Sequence, residues 1–99
     1  MLYAISATDV ENSLPLRKQH RDAHRGRLRE LQEQGRLVLA GPYPAVDSNE
    51  PGEAGFSGSL IVAEFANLEA ARQWAQEDIY QSCGVYSEVK VKPLIQVMP

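Results

Sequence analysis

Cysteine is almost absent from this 99-residue chain. The single thiol, Cys83, excludes an intrachain disulfide and cannot by itself found a cysteine-rich metal site. Its plain reading is a small structural side chain. No apolar run approaches the ~20 residues that a bilayer-spanning helix needs. The opening segment MLYAISATD lacks the basic start and long apolar stretch of a signal peptide. The expectation is therefore a soluble cytoplasmic domain with no membrane partner. Positive charge is not in excess either: ten Lys and Arg stand against thirteen Asp and Glu, a net charge of −3. Bulk electrostatics thus give no reason to expect nucleic acid as a partner. No nucleophile elbow and no internal repeat occurs. GPYP and SNEPG contain glycine without the spacing that cradles phosphate, so no cofactor is expected.

What the chain does have suits one domain over residues 1–99, with 43% hydrophobic and 23% charged residues, enough for one core. Met1–Thr8 is uncharged and rich in apolar and small residues. It reads as a strand buried on both faces and central in a sheet. Asp9–Asn12 is a polar turn. Ser13 is placed to cap a helix running to Gln34, with Pro15 tolerated in its first turn and Gly35 ending it. Arg36–Ala40 predicts a second strand. Gly41–Gly58 holds three of the six prolines and predicts a long loop, either a plain hairpin connection or a segment that lines a pocket or forms a lid. Ser59–Phe65 predicts a third strand. Asn67 then caps a second helix, Leu68 to about Asp78, with Leu68, Ala71, Trp74 and Ala75 on one face. Val85–Val97 is a final strand in which Val85, Val89, Val91, Ile95 and Val97 share a side, and Pro93 marks a bulge or an edge.

The order β-α-β-β-α-β predicts an α+β, ferredoxin-like βαββαβ sandwich with both helices on one sheet face. Apolar residues on the opposite face are costly to leave in water. A homodimer through that face, a dimeric α+β barrel, is the simplest way to cover it.

His24 stands out against this frame. By 100° of rotation per residue it shares a helix face with Leu28 and Leu31, and Arg17, His20, Arg21 and Arg27 fall within about 60° of the same line. Six of the ten basic residues lie on this first helix. A helix used only for packing does not put an imidazole and arginines on its inward face, so a cleft is expected there. Asp78 is the best partner in sequence for His24. At the end of the second helix it opposes the helix dipole and points toward the apolar side, so Arg21, His24 or loop backbone must compensate it. The alternative is that Asp78 frays into solvent or caps the next turn. A His24–Asp78 pair suits a general base, and Arg17 or Arg21 suits a bidentate grip on an anionic small-molecule ligand. His20 and His24 are four residues apart, but no third ligand stands out and no metal is expected.

Several motifs together resemble the YCII-related family. They are R-D-A-H (21–24), L-x-x-L-x-x-x-G-R-L (28–37), A-G-P-Y-P-A-V-D-S-N (40–49), A-G-F-S-G-S (54–59), E-F-A-N-L-E-A-A-R-Q-W-A (64–75), E-D-I-Y (77–80), C-G-V-Y (83–86) and V-K-P (91–93). The resemblance covers nearly the whole chain. It implies the dimeric α+β barrel fold, similar to muconolactone isomerase. It also implies an active-site pair that maps onto His24 and Asp78, with Arg21 three residues before the histidine. Gly41 and Pro42 match the family's G-P turn, and Ser48, in the same motif, is carried with them as a ligand-binding candidate. Most members of the family have no assigned reaction, and a few relatives dehalogenate chlorinated muconolactones. The expectation is a cofactor-free lyase, isomerase or dehalogenase acting on a small organic acid. The alternative is a homodimer that binds a metabolite without turning it over. One departure is Asp78-Ile79-Tyr80 where the family often has D-P-Y. Losing that proline frees a backbone N–H and leaves the orientation of Asp78 to its surroundings.

Overall fold

A computed structural model describes all residues, 1–99. The elements are β1 (Leu2–Asp9), α1 (Leu14–Glu33), β2 (Leu37–Pro44), a 3₁₀ turn (Gly52–Ala54), β3 (Phe56–Glu64), α2 (Leu68–Gln76), α3 (Ile79–Ser82) and β4 (Tyr86–Leu94). The four strands form one antiparallel sheet in the order β2-β3-β1-β4, so β1 is central as its composition predicts. This is the ferredoxin-like α+β arrangement. No helix is long and apolar enough to cross a membrane.

Strand alternation sorts the side chains. Tyr3, Ile5 and Ala7 of β1 pair with Ala63, Ile61 and Ser59 of β3, and all six are buried beneath the helices. Leu31 of α1 and Ala71 and Ala75 of α2 close over them as one core. A second cluster of Ala7, Tyr80, Val85 and Tyr86 fills the end of the sheet under α3. The other face of β1 (Leu2, Ala4, Ser6) is only half-buried. With Leu60 of β3 and the exposed Leu39 and Tyr43 of β2 it makes an open, largely apolar surface. Tyr43 crosses β3 to meet Ser6, oxygen to oxygen at 3.2 Å. Gly58 permits that crossing, since a Cβ there would lie 3.0 Å from the Tyr43 ring and 2.0 Å from the Ala7 carbonyl oxygen.

Several predicted boundaries need correction. Gly41–Gly58 is not one long loop, because β2 runs to Pro44 and β3 starts at Phe56. Pro42 and Pro44 are tolerated because β2 is an edge strand, where a missing N–H costs no ladder bond on the outer side. The final strand stops at Leu94 rather than Val97. Leu94 pairs with Leu2, so β1 has almost no chain left to pair further residues, and Ile95 and Val97 are 80% and 81% exposed. Ser13 makes no side-chain cap on α1; its hydroxyl donates instead to Asp9 Oδ2 at 2.6 Å. Asp9 is the last residue of β1, not part of the turn. Other local signals act as read. Gly35 takes φ +70° just past α1, Asn67 Oδ1 accepts the Ala70 N–H at 2.8 Å, and Pro93 lies on an edge strand.

Candidate active site

The inward line of α1 is Arg17, His24 and Leu31, spaced seven apart and all buried. Two turns of helix separate each pair, so the apolar Leu31 anchors one end of the core while Arg17 and His24 face the other. Their partners come from elsewhere in the chain.

Asp78 meets His24 and also caps the next turn, which the sequence offered only as an alternative to that pairing. α2 ends at Gln76, and Asp78 takes an extended conformation (φ −64°, ψ 134°) as the N-cap of the separate helix α3. Its Oδ1 accepts the Tyr80 backbone N–H at 3.0 Å. Aspartate is a strong N-cap because its short side chain captures an otherwise unpaired amide. The chain therefore breaks the second helix two residues early, and Asp78 sits at a favourable helix start instead of an unfavourable end. From there its two oxygens lie 2.9 and 3.0 Å from His24 Nδ1. Both residues are buried, His24 at 8% exposure and Asp78 at 2%. A carboxylate only accepts, so Nδ1 carries the hydrogen and donates it to Asp78. Nε2 is then the nitrogen with the free lone pair.

Arg17 is buried at 4% exposure, in a second ion pair. Its Nε donates to Asp9 Oδ2 at 2.6 Å and its Nη2 to Asp9 Oδ1 at 2.9 Å, a bidentate fork. The two Nη2 hydrogens are shared between Asp9 Oδ1, the Gly58 carbonyl at 2.9 Å and Ser59 Oγ at 2.8 Å. Burial by itself would lower the guanidinium pKa, but the hydrogen bond and charge of Asp9 outweigh it and the net shift is upward. Arg17 is thus a fixed part of the wall, with most of its donors already spent.

Tyr80 and Tyr86 fill the space between these pairs. The Tyr80 ring stacks on the His24 imidazole with centroids 4.0 Å apart and planes 11° from parallel. Its hydroxyl donates to the Arg17 carbonyl at 3.1 Å. The Arg17 guanidinium carbon stands 5.1 Å from the same ring and 5.3 Å from that of Phe56. Burial raises the Tyr80 phenol pKa, against the pull of Arg17 and Arg21. Tyr86 packs edge-on to Tyr80 at 5.6 Å, and its oxygen is buried with no hydrogen-bond partner. Burial pushes that phenol far above its ordinary value, while the nearby Ser59 hydroxyl acts the other way.

In front of His24 lies a cleft of about 180 Å3 between α1 and the β2–β3 edge of the sheet. Arg17, Arg21 and Arg25 supply its charge, with Leu28, Pro42, Phe56 and Ile61 among its apolar walls. No carboxylate lines it, and neither Arg21 nor Arg25 is in an ion pair. Its side chains are donors and apolar groups, apart from His24 Nε2 and hydroxyl oxygens. Gly41 and Pro42 border the cleft as residues of β2 rather than of a loop. Ser48 does not: it lies in the exposed turn, where its Oγ accepts the Glu50 N–H at 3.0 Å. No group of three His, Cys, Asp or Glu side chains is arranged to hold a metal. A wider groove of about 520 Å3 between α2 and β4 is lined by Arg72, Glu88, Lys90 and Lys92 and contains no histidine or buried acid.

Sequence reasoning brings His24, Asp78, Arg17, Arg21, Gly41 and Pro42 to one place and misses Asp9, Arg25, Ser59, Tyr80 and Tyr86. Ser59 was within reach, because it shares the period-two face of Ile61 and Ala63. Nothing local marks Asp9, whose role depends on Arg17 folding back over the end of β1.

A model of the YCII-related domain matches residues 1–95. Protein YciI of Escherichia coli O6:H1 is 55% identical over 97 residues, covering 98% of this chain and 99% of that protein. An uncharacterized protein of Haemophilus influenzae is 48% identical over the same span. Among solved structures, the 5-chloro-2-hydroxyhydroquinone dehydrochlorinase TftG of Burkholderia phenoliruptrix, in complex with 2,5-dihydroxybenzoquinone, superposes with a TM-score of 0.83. That match covers 96% of this chain and 94% of TftG at 20% identity, a likeness of fold. With motifs, topology and full-length relatives in agreement, the chain belongs to the YCII-related family.

Proposed function

We propose that the cleft is the active site of a cofactor-free enzyme in which His24, oriented by Asp78, moves a proton on a small organic anion. The observation that carries this reading is the buried His24–Asp78 pair at 2.9 Å beside unpaired arginines. A carboxylate on Nδ1 fixes the tautomer and stabilises the imidazolium, which makes Nε2 an effective base. Arg21 and Arg25 hold the anion, and a lining with three arginines and no carboxylate disfavours cationic ligands. The volume suits a molecule far smaller than a nucleotide cofactor.

Nε2 takes a proton from a C–H or O–H of the substrate, and the freed electron pair moves into the adjacent bond. If that displaces a leaving group, the reaction is an elimination of the lyase or dehalogenase type. If it forms an enolate, the imidazolium returns the proton at another carbon and the reaction is an isomerisation. Tyr80 O–H is committed to the Arg17 carbonyl and Tyr86 O–H is buried, so His24 is the only group in the cleft suited to carry the proton both ways. TftG, which shares the fold, is named as a dehydrochlorinase and was crystallised with a small oxygenated ring. This supports the elimination branch.

The test is depletion of compounds from a small-metabolite mixture by the pure protein, with His24→Ala as control. Depletion by the wild type alone supports an enzyme. Co-purification or binding without depletion favours the metabolite-binding alternative. Equal depletion by the two proteins sinks the role of His24, and neither depletion nor binding by the wild type sinks both readings.

We also propose a homodimer that covers the open sheet face around Ala4, Leu39 and Leu60. Light scattering checks it: a monomer at micromolar concentration counts against it, and a dimer that Leu60→Glu dissociates supports it.

A further inference from the structure

One residue outside the dyad touches both of its halves. The Tyr80 ring lies flat on the His24 imidazole at 4.0 Å, and the Tyr80 backbone N–H binds the Asp78 oxygen that faces His24 Nδ1. The residue is itself held at both ends. Its hydroxyl is tied to the Arg17 carbonyl in α1, and its own carbonyl accepts the Val85 N–H ahead of β4. With 1% exposure it is among the most completely buried large side chains in the molecule. The imidazole therefore has an aromatic wall on one face, and a second ring, Tyr86, meets it edge-on at 6.5 Å.

We propose that Tyr80 is the positioning residue of the dyad, holding the ring plane of His24 and the carboxylate of Asp78 so that the tautomer set by Asp78, with Nε2 as the free base, is kept. The physical need is specific. Rotation about the imidazole χ2 has broad, roughly two-fold minima. A half-turn of the ring would replace Nδ1 by a carbon at Asp78 and carry the hydrogen-bonding nitrogen elsewhere. Asp78 alone opposes this with one charge-assisted hydrogen bond. A flat wall in van der Waals contact adds a steric barrier to tilting, and the Tyr80 N–H keeps the carboxylate from swinging away with the ring. Asp78-Ile79-Tyr80 is thus one device: the N-cap that starts α3 presents the carboxylate, and the first turn of α3 presents the wall.

This inference rests on the reading of His24 as a base, but its test does not need a substrate. The ring nitrogens of His24 are followed by NMR at alkaline pH in the full-length protein, with His20→Gln to separate the two histidines. Wild type should show the widely split resonances of one fixed tautomer, with Nδ1 protonated. Tyr80→Phe keeps the wall and should keep the split. Tyr80→Met fills the space without a flat face and keeps the backbone N–H, so its two resonances should converge as tautomers and orientations mix. An unchanged split in Tyr80→Met overturns the proposal. If Tyr80→Met does not fold, the wild type alone decides. The carbon-bound protons of His24 should be shifted upfield by the stacked ring, and their absence from that region overturns the stack. If the tautomer mixes in Tyr80→Met while any turnover found stays at the wild-type level, the positioning role stands and the assignment of His24 as base falls.

Discussion

Asp78 binds His24 Nδ1 through both carboxylate oxygens, at 2.9 and 3.0 Å, in a site where neither residue meets much water. The geometry separates two effects of mutation. His24→Ala removes the proton carrier and should lower any turnover by roughly 10²- to 10⁴-fold, the usual worth of a positioned base. Asp78→Ala leaves the base in place but strands the Nδ1–H and the Tyr80 N–H. It should cost about 1–3 kcal/mol of stability and lower turnover as well. Urea unfolding together with kinetics checks both. A destabilised but fully active Asp78→Ala would show that the carboxylate only caps α3.

The Arg17–Asp9 pair gives an asymmetric prediction. Removing one partner of a buried ion pair leaves the other charge uncompensated, at a cost of about 3–5 kcal/mol, whereas replacing both by apolar groups can be neutral. Asp9→Ala should therefore be strongly destabilising, with Arg17 held among Phe56, Ser59 and Tyr80 and without its counter-ion. The double variant Asp9→Leu/Arg17→Met should recover much of that loss in urea unfolding. It should also reshape the cleft, since Arg17 is part of its wall. Equal stability of the single and double variants would contradict this account.

Ligand recognition should fall on Arg21 and Arg25 rather than on Arg17. Arg25 is exposed and Arg21 half-buried, so their attraction for an anion is screened by salt to different degrees. For any anionic ligand found, Arg21→Gln should weaken binding about tenfold or more, a loss of about 1.4 kcal/mol, and Arg25→Gln should weaken it less. Titration calorimetry at two salt concentrations checks the order. The Arg25 contribution should fade first as salt is raised, and Ser48→Ala should have no effect.

Period and punctuation made the frame of this molecule legible. The 3.6-residue spacing placed His24 with Leu31, the uncharged run Met1–Thr8 marked a central strand, and Gly35 and Asn67 marked helix ends by chemistry that needs no tertiary context. The failures share a physical cause. Ser13 and Asp78 are both competent caps, and which one caps is decided by what else competes for the side chain. Ser13 is drawn to Asp9, while Asp78 keeps its role because the Tyr80 amide has no other partner. Proline breaks a central strand but not an edge, so the end of β2 could not be fixed before the strand order was known. His24 and Asp78 were paired correctly for a reason that did not hold: the carboxylate is not at a helix end in need of rescue. Asp9, Tyr80 and Tyr86 depend on contacts with Arg17 and His24 of α1 that no local pattern reports.

Tyr86 yields the prediction with the clearest sign. Its phenol is buried, its oxygen unpartnered, and its folded-state pKa lies far above the unfolded value of about 10. Above that pH the unfolded chain sheds the proton and the folded chain keeps it. The unfolded state then binds fewer protons, and stability falls as pH rises. Tyr80, also raised, adds in the same direction. The contribution is intact below pH 10 and is lost progressively above it. Tyr86→Phe removes both the alkaline liability and the unsatisfied hydroxyl. It should match or exceed wild-type stability at neutral pH, by up to about 1–3 kcal/mol, and should retain more of it in alkali. Thermal unfolding of the two proteins at neutral pH and near pH 11 measures the difference. A Tyr86→Phe variant that is less stable at neutral pH would mean that the hydroxyl has a partner, with Ser59 the first candidate.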